Sequence, residues 1–207
     1  MTSIRHNPEG PTSPDDAYLD AAREAILAVG WSRTTLTDIA RRAGVSRMTL
    51  YRRWPDTQAL LADLMNREWG RVVDEATDSL DSDADPLHRI TDGVVATVRA
   101  LRADELLRRI VDVDPEVLLP YLLDRRGRSQ EMVADALAGM IAQGQREKSI
   151  RRGDPVVLAR SLVLACHGFT LSAHTMSDPT GDQASRDADV SHLDTELSEL
   201  VRRYLAR

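Results

Sequence analysis

Residues 35–54 read TLTDIARRAGVSRMTLYRRW, and their spacing decides the architecture of the N-terminal part of the chain. Thr35 precedes Asp38 by three residues, the spacing of a capping box with Asp in place of Glu, so a helix is expected from Thr35 to Ala43. Gly44 supplies the positive φ that reverses the chain. Ser46 caps the next helix, and Pro55 disfavours its continuation beyond Trp54. Ala40 and Ala43 are small enough for two helices to cross closely, with Ile39, Val45 and Leu50 as their shared core. The pattern predicts a helix-turn-helix. Its second helix presents Arg47, Met48, Thr49, Tyr51, Arg52 and Arg53, a surface of donors suited to phosphates and guanine edges.

Helical periodicity continues outward on both sides. Tyr18, Ala22, Ala25, Ile26 and Val29 mark one face of a first helix running from Asp15 to Gly30. Asp56 caps a fourth helix that carries Leu60, Leu61, Leu64, Met65 and Val72 and extends to about residue 78. Asp85-Pro86 reads as an N-cap followed by proline at the first helical position. Further helices are expected over 86–101, 104–111, 115–123, 129–143, 155–176 and 191–206, with a polar loop at 177–189. Residues 1–14, with Pro8, Gly10, Pro11 and Pro14, are expected to form a flexible tail in which Arg5 is idle rather than a minor-groove arm. No strand-like alternation or internal repeat occurs, so the fold class is all-α.

Charge separates the helix-turn-helix from the rest. The whole chain carries −6, yet residues 31–54 hold six arginines against Asp38 alone, leaving this segment at +5. A compact basic module in an acidic protein is the footprint of local phosphate binding, while the acidic remainder discourages indiscriminate wrapping of DNA. The single Cys166 excludes an intramolecular disulfide framework and any multi-thiolate zinc site. Residues 1–30 lack a secretory apolar core, and the apolar stretch 156–176 is interrupted by Arg160, His167 and His174. A soluble, cytoplasmic protein with no membrane partner is expected. Asp81-x-Asp83-x-Asp85 opens like a calcium loop, but Pro86 stands where glycine must turn, and His167 and His174 have no third ligand in register. No metal, cofactor or catalytic motif is expected, and hence no enzyme.

The 35–54 segment and its flanks resemble the DNA-binding domain of the TetR family of transcriptional repressors. Thr34, Thr35, Asp38, Ile39, Ala40, Ala43, Gly44, Val45, Ser46, Thr49, Leu50, Tyr51, Pro55 and Leu60 stand where that family's pattern has the same residues. Two positions depart from it. Met48 replaces a small residue and could reach a thymine methyl; Thr57 replaces a lysine and leaves a hydroxyl at a helix N-terminus to meet phosphate. The resemblance implies that Thr35, Thr49 and Tyr51 contact phosphate, that Thr37, Arg47, Met48 and Arg52 face base edges, and that Arg53 lies near the backbone. Trp54 is expected in the core.

The resemblance also implies three segments: the tail at 1–14, a helix-turn-helix domain at 15–62, and a helical ligand-binding and dimerisation domain at 63–207. Helix 155–176 is apolar nearly all round, and Leu193, Leu197, Leu200, Val201 and Tyr204 form a stripe on helix 191–206. Paired with a second copy these helices would close a four-helix dimer bundle, with Leu162 and Phe169 also at the contact. Trp69, Thr91, Met132, Met140 and Phe169 are the candidate contacts of a small-molecule effector. The expected partners are a two-fold symmetric double-stranded DNA operator, an effector and a second copy of the chain. A small-molecule-binding or enzymatic helical protein with a degenerate helix-turn-helix is the competing class; salt-dependent binding to promoter DNA separates the two.

Overall fold

The computed structural model describes residues 13–78, 80–81 and 83–207. Arg5 and nearly all of the expected tail lie outside them. Among the described residues there are nine α-helices and no strand, only a single β-bridge between Ile150 and Ala206. They are α1 (Pro14–Val29), α2 (Leu36–Arg42), α3 (Arg47–Arg53), α4 (Thr57–Thr77), α5 (Pro86–Ala103), α6 (Glu105–Val113), α7 (Arg128–Arg146), α8 (Pro155–Leu171) and α9 (Gln183–Leu205). The first five begin where polar caps and prolines set them. Ser13, Thr35, Ser46, Asp56 and Asp85 each accept a backbone N–H from the first turn of the helix that follows.

Three sequence expectations are corrected. Residues 115–123 form no regular helix: a 3₁₀ turn over Pro115–Val117 is followed by a π turn over Pro120–Asp124. Neither proline has an N–H to continue an α-helical ladder, and the Arg125 N–H bonds back to the Pro120 carbonyl at 2.8 Å. The helix expected over 155–176 stops at Leu171, and a 3₁₀ turn occupies Ala173–Met176. The last helix starts at Gln183 rather than 191, because Asp182 caps it and accepts from the Ser185 N–H at 2.9 Å.

Two apolar cores result. The first gathers α1, α2, α3, the first half of α4, and Leu106, Leu107 and Ile110 of α6 around Ile39, Leu50, Leu60 and Leu64. The second joins α5, α7, α8 and α9 around Ile90, Ile141, Leu197 and Leu205. The boundary expected at 62/63 thus falls inside α4, a continuous helix. Leu162, Leu197 and Val201, expected at a dimer contact, are buried in the second core of their own protomer. The stripe on the last helix therefore faces α5 and α8; Leu193, Phe169 and Tyr204 are half-buried. The most exposed apolar residues left on α8 and α9 are Val157, Leu164 and Leu200, each more than half exposed.

Asp114 ties the end of α6 to the helix-turn-helix segment. Its buried carboxylate accepts the Trp31 N–H at 2.7 Å and the Ser32 N–H at 3.1 Å, at the turn between α1 and α2. Gly30 adopts φ 87°, and a Cβ there would lie 2.8 Å from Asp114 Oδ2, so the close approach requires glycine twice over. Burial alone would raise the Asp114 carboxyl, but bonds from Ser32 and from the Trp31 N–H, with Arg109 nearby, hold it below the usual aspartate value. Its contribution to stability is therefore complete above the ordinary aspartate range and is lost as pH falls below about 4. Asp114→Ala leaves two donors without their acceptor and should destabilise the fold by about 1–3 kcal/mol at pH 7 in urea unfolding. The difference from wild type should narrow in acid; a constant difference from pH 7 to 3 would contradict the tie.

Candidate nucleic-acid interface and ligand cavity

The geometry of the helix-turn-helix follows from its caps. Thr35 Oγ1 accepts the Asp38 N–H at 3.2 Å and donates to Asp38 Oδ2 at 2.6 Å, so the aspartate answers the capping hydroxyl directly. That hydroxyl bond, ahead of the nearby Arg41 and Arg42 charges, lowers the Asp38 carboxyl. Gly44 turns the chain at φ 67°. Ser46 Oγ accepts the Thr49 N–H and lies 2.9 Å from Thr49 Oγ1. Ile39 and Leu50 are fully buried and Val45 packs beside them, as the sequence implied.

What α3 leaves outside is the candidate interface. Arg47, Met48, Tyr51, Arg52 and Arg53 are exposed, Met48 to 68%. The Arg47 guanidinium lies 4.9 Å from the Tyr51 ring centroid and donates to Tyr51 Oη at 3.0 Å, forming one exposed unit. Thr37 is exposed at the start of α2, whereas Thr49 and Thr57 are half-buried, Thr57 as the first residue of α4. Arg53 is partly committed. Its Nε bonds Asp15 Oδ2 of α1 at 2.7 Å, a contact 38 residues apart that no local sequence signal announces. Trp54 is 2% exposed, meets Tyr18 edge-on at 6.2 Å, and donates from Nε1 to Asp63 Oδ2 at 2.9 Å. The end of α3 is thereby pinned to α4.

A cavity of about 200 Å³ lies further along α4. Ala62, Met65, Asn66 and Trp69 of α4 form one wall; Tyr121 and residues 125–130 form the other. Asn66 Oδ1 accepts the Ser129 N–H at 3.0 Å across it, and Gln130 Nε2 lies 3.0 Å from His167 Nε2 of α8. Burial lowers the His167 imidazole. Among the five residues expected to touch a ligand, the structure brings only Trp69 to this cavity. Thr91 is buried with its hydroxyl on the Leu87 carbonyl, Met132 is 52% exposed, and Met140 and Phe169 pack against the second core. Three arginines within four residues, at 125, 126 and 128, are the signal in the sequence that could have marked this wall.

Other candidate centres find no support among the described residues. No group of three or more His, Cys, Asp or Glu is placed to hold a metal, and no helix is long and apolar enough to cross a membrane. Asp85 is engaged as the α5 cap. Burial pushes the Cys166 thiol up to about 11, which leaves it protonated and unreactive near neutrality.

A family model for bacterial regulatory proteins of the tetR family matches residues 19–64, the helices just described. Over 187 residues the chain is 34% identical to an uncharacterized HTH-type transcriptional regulator of Mycobacterium tuberculosis, spanning 90% of this chain and 92% of that relative. The chain belongs to the TetR family. Its fold matches a TetR-family regulator from Pectobacterium atrosepticum with a TM-score of 0.70 at 19% identity, covering 93% of this chain and 94% of that one. The structure of SmeT in complex with triclosan matches at 0.61 and 21% identity, covering 94% and 92%. As a TetR-family member the protein is a DNA-binding transcriptional regulator and not an enzyme.

The capping geometry gives a direct test of how the α2 entry is held. Thr35→Ala should cost about 1 kcal/mol in urea unfolding, and Thr35→Ser, which keeps the hydroxyl, should recover most of it. Equal losses in the two variants would show that the methyl group, not the cap, matters.

Proposed function

We propose that the protein is a cytoplasmic, homodimeric repressor that binds a two-fold symmetric operator and is released from it by a small-molecule effector. The observation that carries this reading is the exposed Arg47, Met48, Tyr51 and Arg52 face on a helix capped at one end by Ser46 and pinned at the other through Trp54. Such a helix N-terminus suits the major groove. Thr35, Thr49 and Thr57, at the starts of helices, are assigned to phosphate together with Tyr51 and Arg53; Thr37, Arg47, Met48 and Arg52 are assigned to base edges.

The dimer reading rests on the outward apolar residues of α8 and α9. Val157 and Leu164 are two turns apart on α8, and Leu200 stands on α9; all three are more than half exposed in the single chain. A second copy related by a two-fold axis would cover them and set two recognition helices at a fixed spacing. The effector reading rests on the cavity. Ala62, Met65 and Trp69 line it from α4, and Asp63 on the same helix holds Trp54 at the end of α3. A ligand that shifts this part of α4 shifts the recognition helix, so effector and operator disfavour each other's state.

Sequences recovered from a random duplex library should share a two-fold symmetric site, bound with strong salt dependence; no enrichment would overturn the proposal. On that site Arg47→Ala should lose about 1–3 kcal/mol per half-site while affinity for scrambled duplex falls far less. A parallel loss on both would reassign Arg47 to phosphate. Leu164→Arg combined with Leu200→Arg should sediment as a folded monomer and bind the full operator weakly. A variant that remains a dimer would place the interface elsewhere. Truncating α9 is no substitute, because Leu197, Val201 and Leu205 complete the protomer's own core.

A further inference from the structure

The cavity beside α4 has a polarity of its own. Met65, 2% exposed, closes its floor beside Ala62, and the Trp69 and Tyr121 rings add aromatic wall. Arg125, Arg126 and Arg128 are exposed and stand at its mouth. Among the described residues no carboxylate lines it. The neighbouring acid, Glu131, lies 3.7 Å from Arg126 and answers that guanidinium. Arg125 lies over the Tyr121 ring, 5.3 Å from its centroid, and neither it nor Arg128 has a carboxylate partner among the described residues. The Trp69 indole Nε1 is buried without a hydrogen-bond partner among them.

From this arrangement we infer that the cavity takes an amphipathic organic anion, its apolar chain or ring against Met65, Ala62 and Trp69 and its carboxylate or phosphate between Arg125 and Arg128. The assignment rests on the reading of this cavity as the effector site. A guanidinium beside an aromatic wall binds an oxyanion more strongly than one in open water, because the ring face excludes solvent on one side. The volume, about 200 Å³, is below that of a typical drug-sized pocket, so the buried part of the ligand is small: a short acyl chain or one ring. The two uncompensated arginines select against cations. The apolar floor selects against inorganic anions, which gain nothing from it.

The test compares probes of one chain length by calorimetry on the full chain: octanoate, octyl phosphate, octan-1-ol and octylamine, with acetate and inorganic phosphate as headgroup controls. One or both octyl anions should bind with one site per chain, which of them binds separating the carboxylate from the phosphate headgroup. The alcohol should bind about tenfold more weakly, and the amine and the two headgroup controls should not bind measurably. In the double variant Arg125→Gln/Arg128→Gln, both at exposed positions, anion affinity should fall about tenfold while alcohol affinity is unchanged. Ala62→Phe, which fills the floor, should abolish both. Equal affinity for alcohol and anions, binding of the amine, binding of neither anion, or anion binding that survives Ala62→Phe each overturns the inference. Should Ala62→Phe fail to fold, the arginine pair still decides it. Operator retention is read separately. An octyl anion that binds with this ranking yet leaves operator affinity unchanged ends the effector reading and supports the anion site. A neutral or cationic compound that releases the operator from wild type but not from Ala62→Phe keeps the effector reading and overturns the anionic class.

Discussion

A carboxylate sealed from water must be neutralised by its neighbours, and Glu68 in the middle of α4 imposes that requirement on everything around it. It is 3% exposed and lies within 2.7 Å of Arg67, 3.3 Å of Arg23 and 3.4 Å of Arg71. Arg23 belongs to α1 and reaches Glu105 of α6 at 3.6 Å; Arg67 continues to Asp20 and to the Asp16 carbonyl of α1. Such a cluster contributes little net stability compared with an apolar packing of the same shape, but separating its members strands a buried charge, and removing one partner of such a pair typically costs about 3–5 kcal/mol. It therefore resists any slide of α4 along α1 and specifies one register between them. Apolar contacts among Leu60, Leu61 and Leu64 would tolerate neighbouring registers far better.

Because α4 is fixed in this way, the protein has two cores but one continuous rod joining them. The rod carries Asp63, which holds Trp54 at the end of the recognition helix, and Asn66, which holds the start of α7. These lie on adjacent turns, so the cavity wall and the contact that holds α3 share one short stretch of α4. Asp114 gives a second connection, from the end of α6 to the α1–α2 turn. The two differ in kind. The Asp114 bonds are to backbone N–H groups and fix a position, whereas Asp63 grips a side chain that carries α3 with it. Any coupling through α4 would therefore have to move α3 against the Asp114 anchor.

The helix-turn-helix was legible in the sequence because every determinant is local: Thr35, Gly44, Ser46 and Pro55 each act within four residues of themselves, and the observed caps and turns follow them. Legibility ends where the partner is distant. Asp114 meets Trp31 across 83 residues, and Asp194 holds Arg99 and Arg102 of α5 from α9, at positions that sequence spacing treats as solvated helix face. The Leu193–Tyr204 stripe has the right period for either a dimer seam or an internal packing face, and period alone cannot choose. Packing against α5 and α8 takes Leu197 and Val201 inside, while Leu200 of the same stripe stays outward. The π turn at Pro120–Asp124 was hidden for another reason: its apolar content reads as helix, and only the missing N–H of Pro120 argues otherwise. That turn positions Tyr121 and leads into the arginines at the cavity mouth, so the second wall of the cavity is hidden from sequence for the same reason as the turn itself.

The net charge of the basic segment overstates what it offers to DNA. Of its six arginines, Arg41 is paired with Asp38 at 3.2 Å and Arg53 with Asp15 at 2.7 Å. Arg33, Arg42, Arg47 and Arg52 have no carboxylate partner among the described residues. Both ion pairs are exposed and hence weak, so phosphate could compete for either arginine, but only by also displacing an acid that stays nearby. The pairing lowers sequence-independent affinity, which grows with the number of cations that replace condensed counterions. It does not lower base discrimination, because Arg47 and Arg52, the two α3 arginines aimed outward without an acid, are the ones assigned to base edges. An acidic body and two self-paired arginines therefore act in the same direction: they weaken binding to random duplex more than binding to a matched site, and so raise the ratio on which a regulator among many competing sites depends.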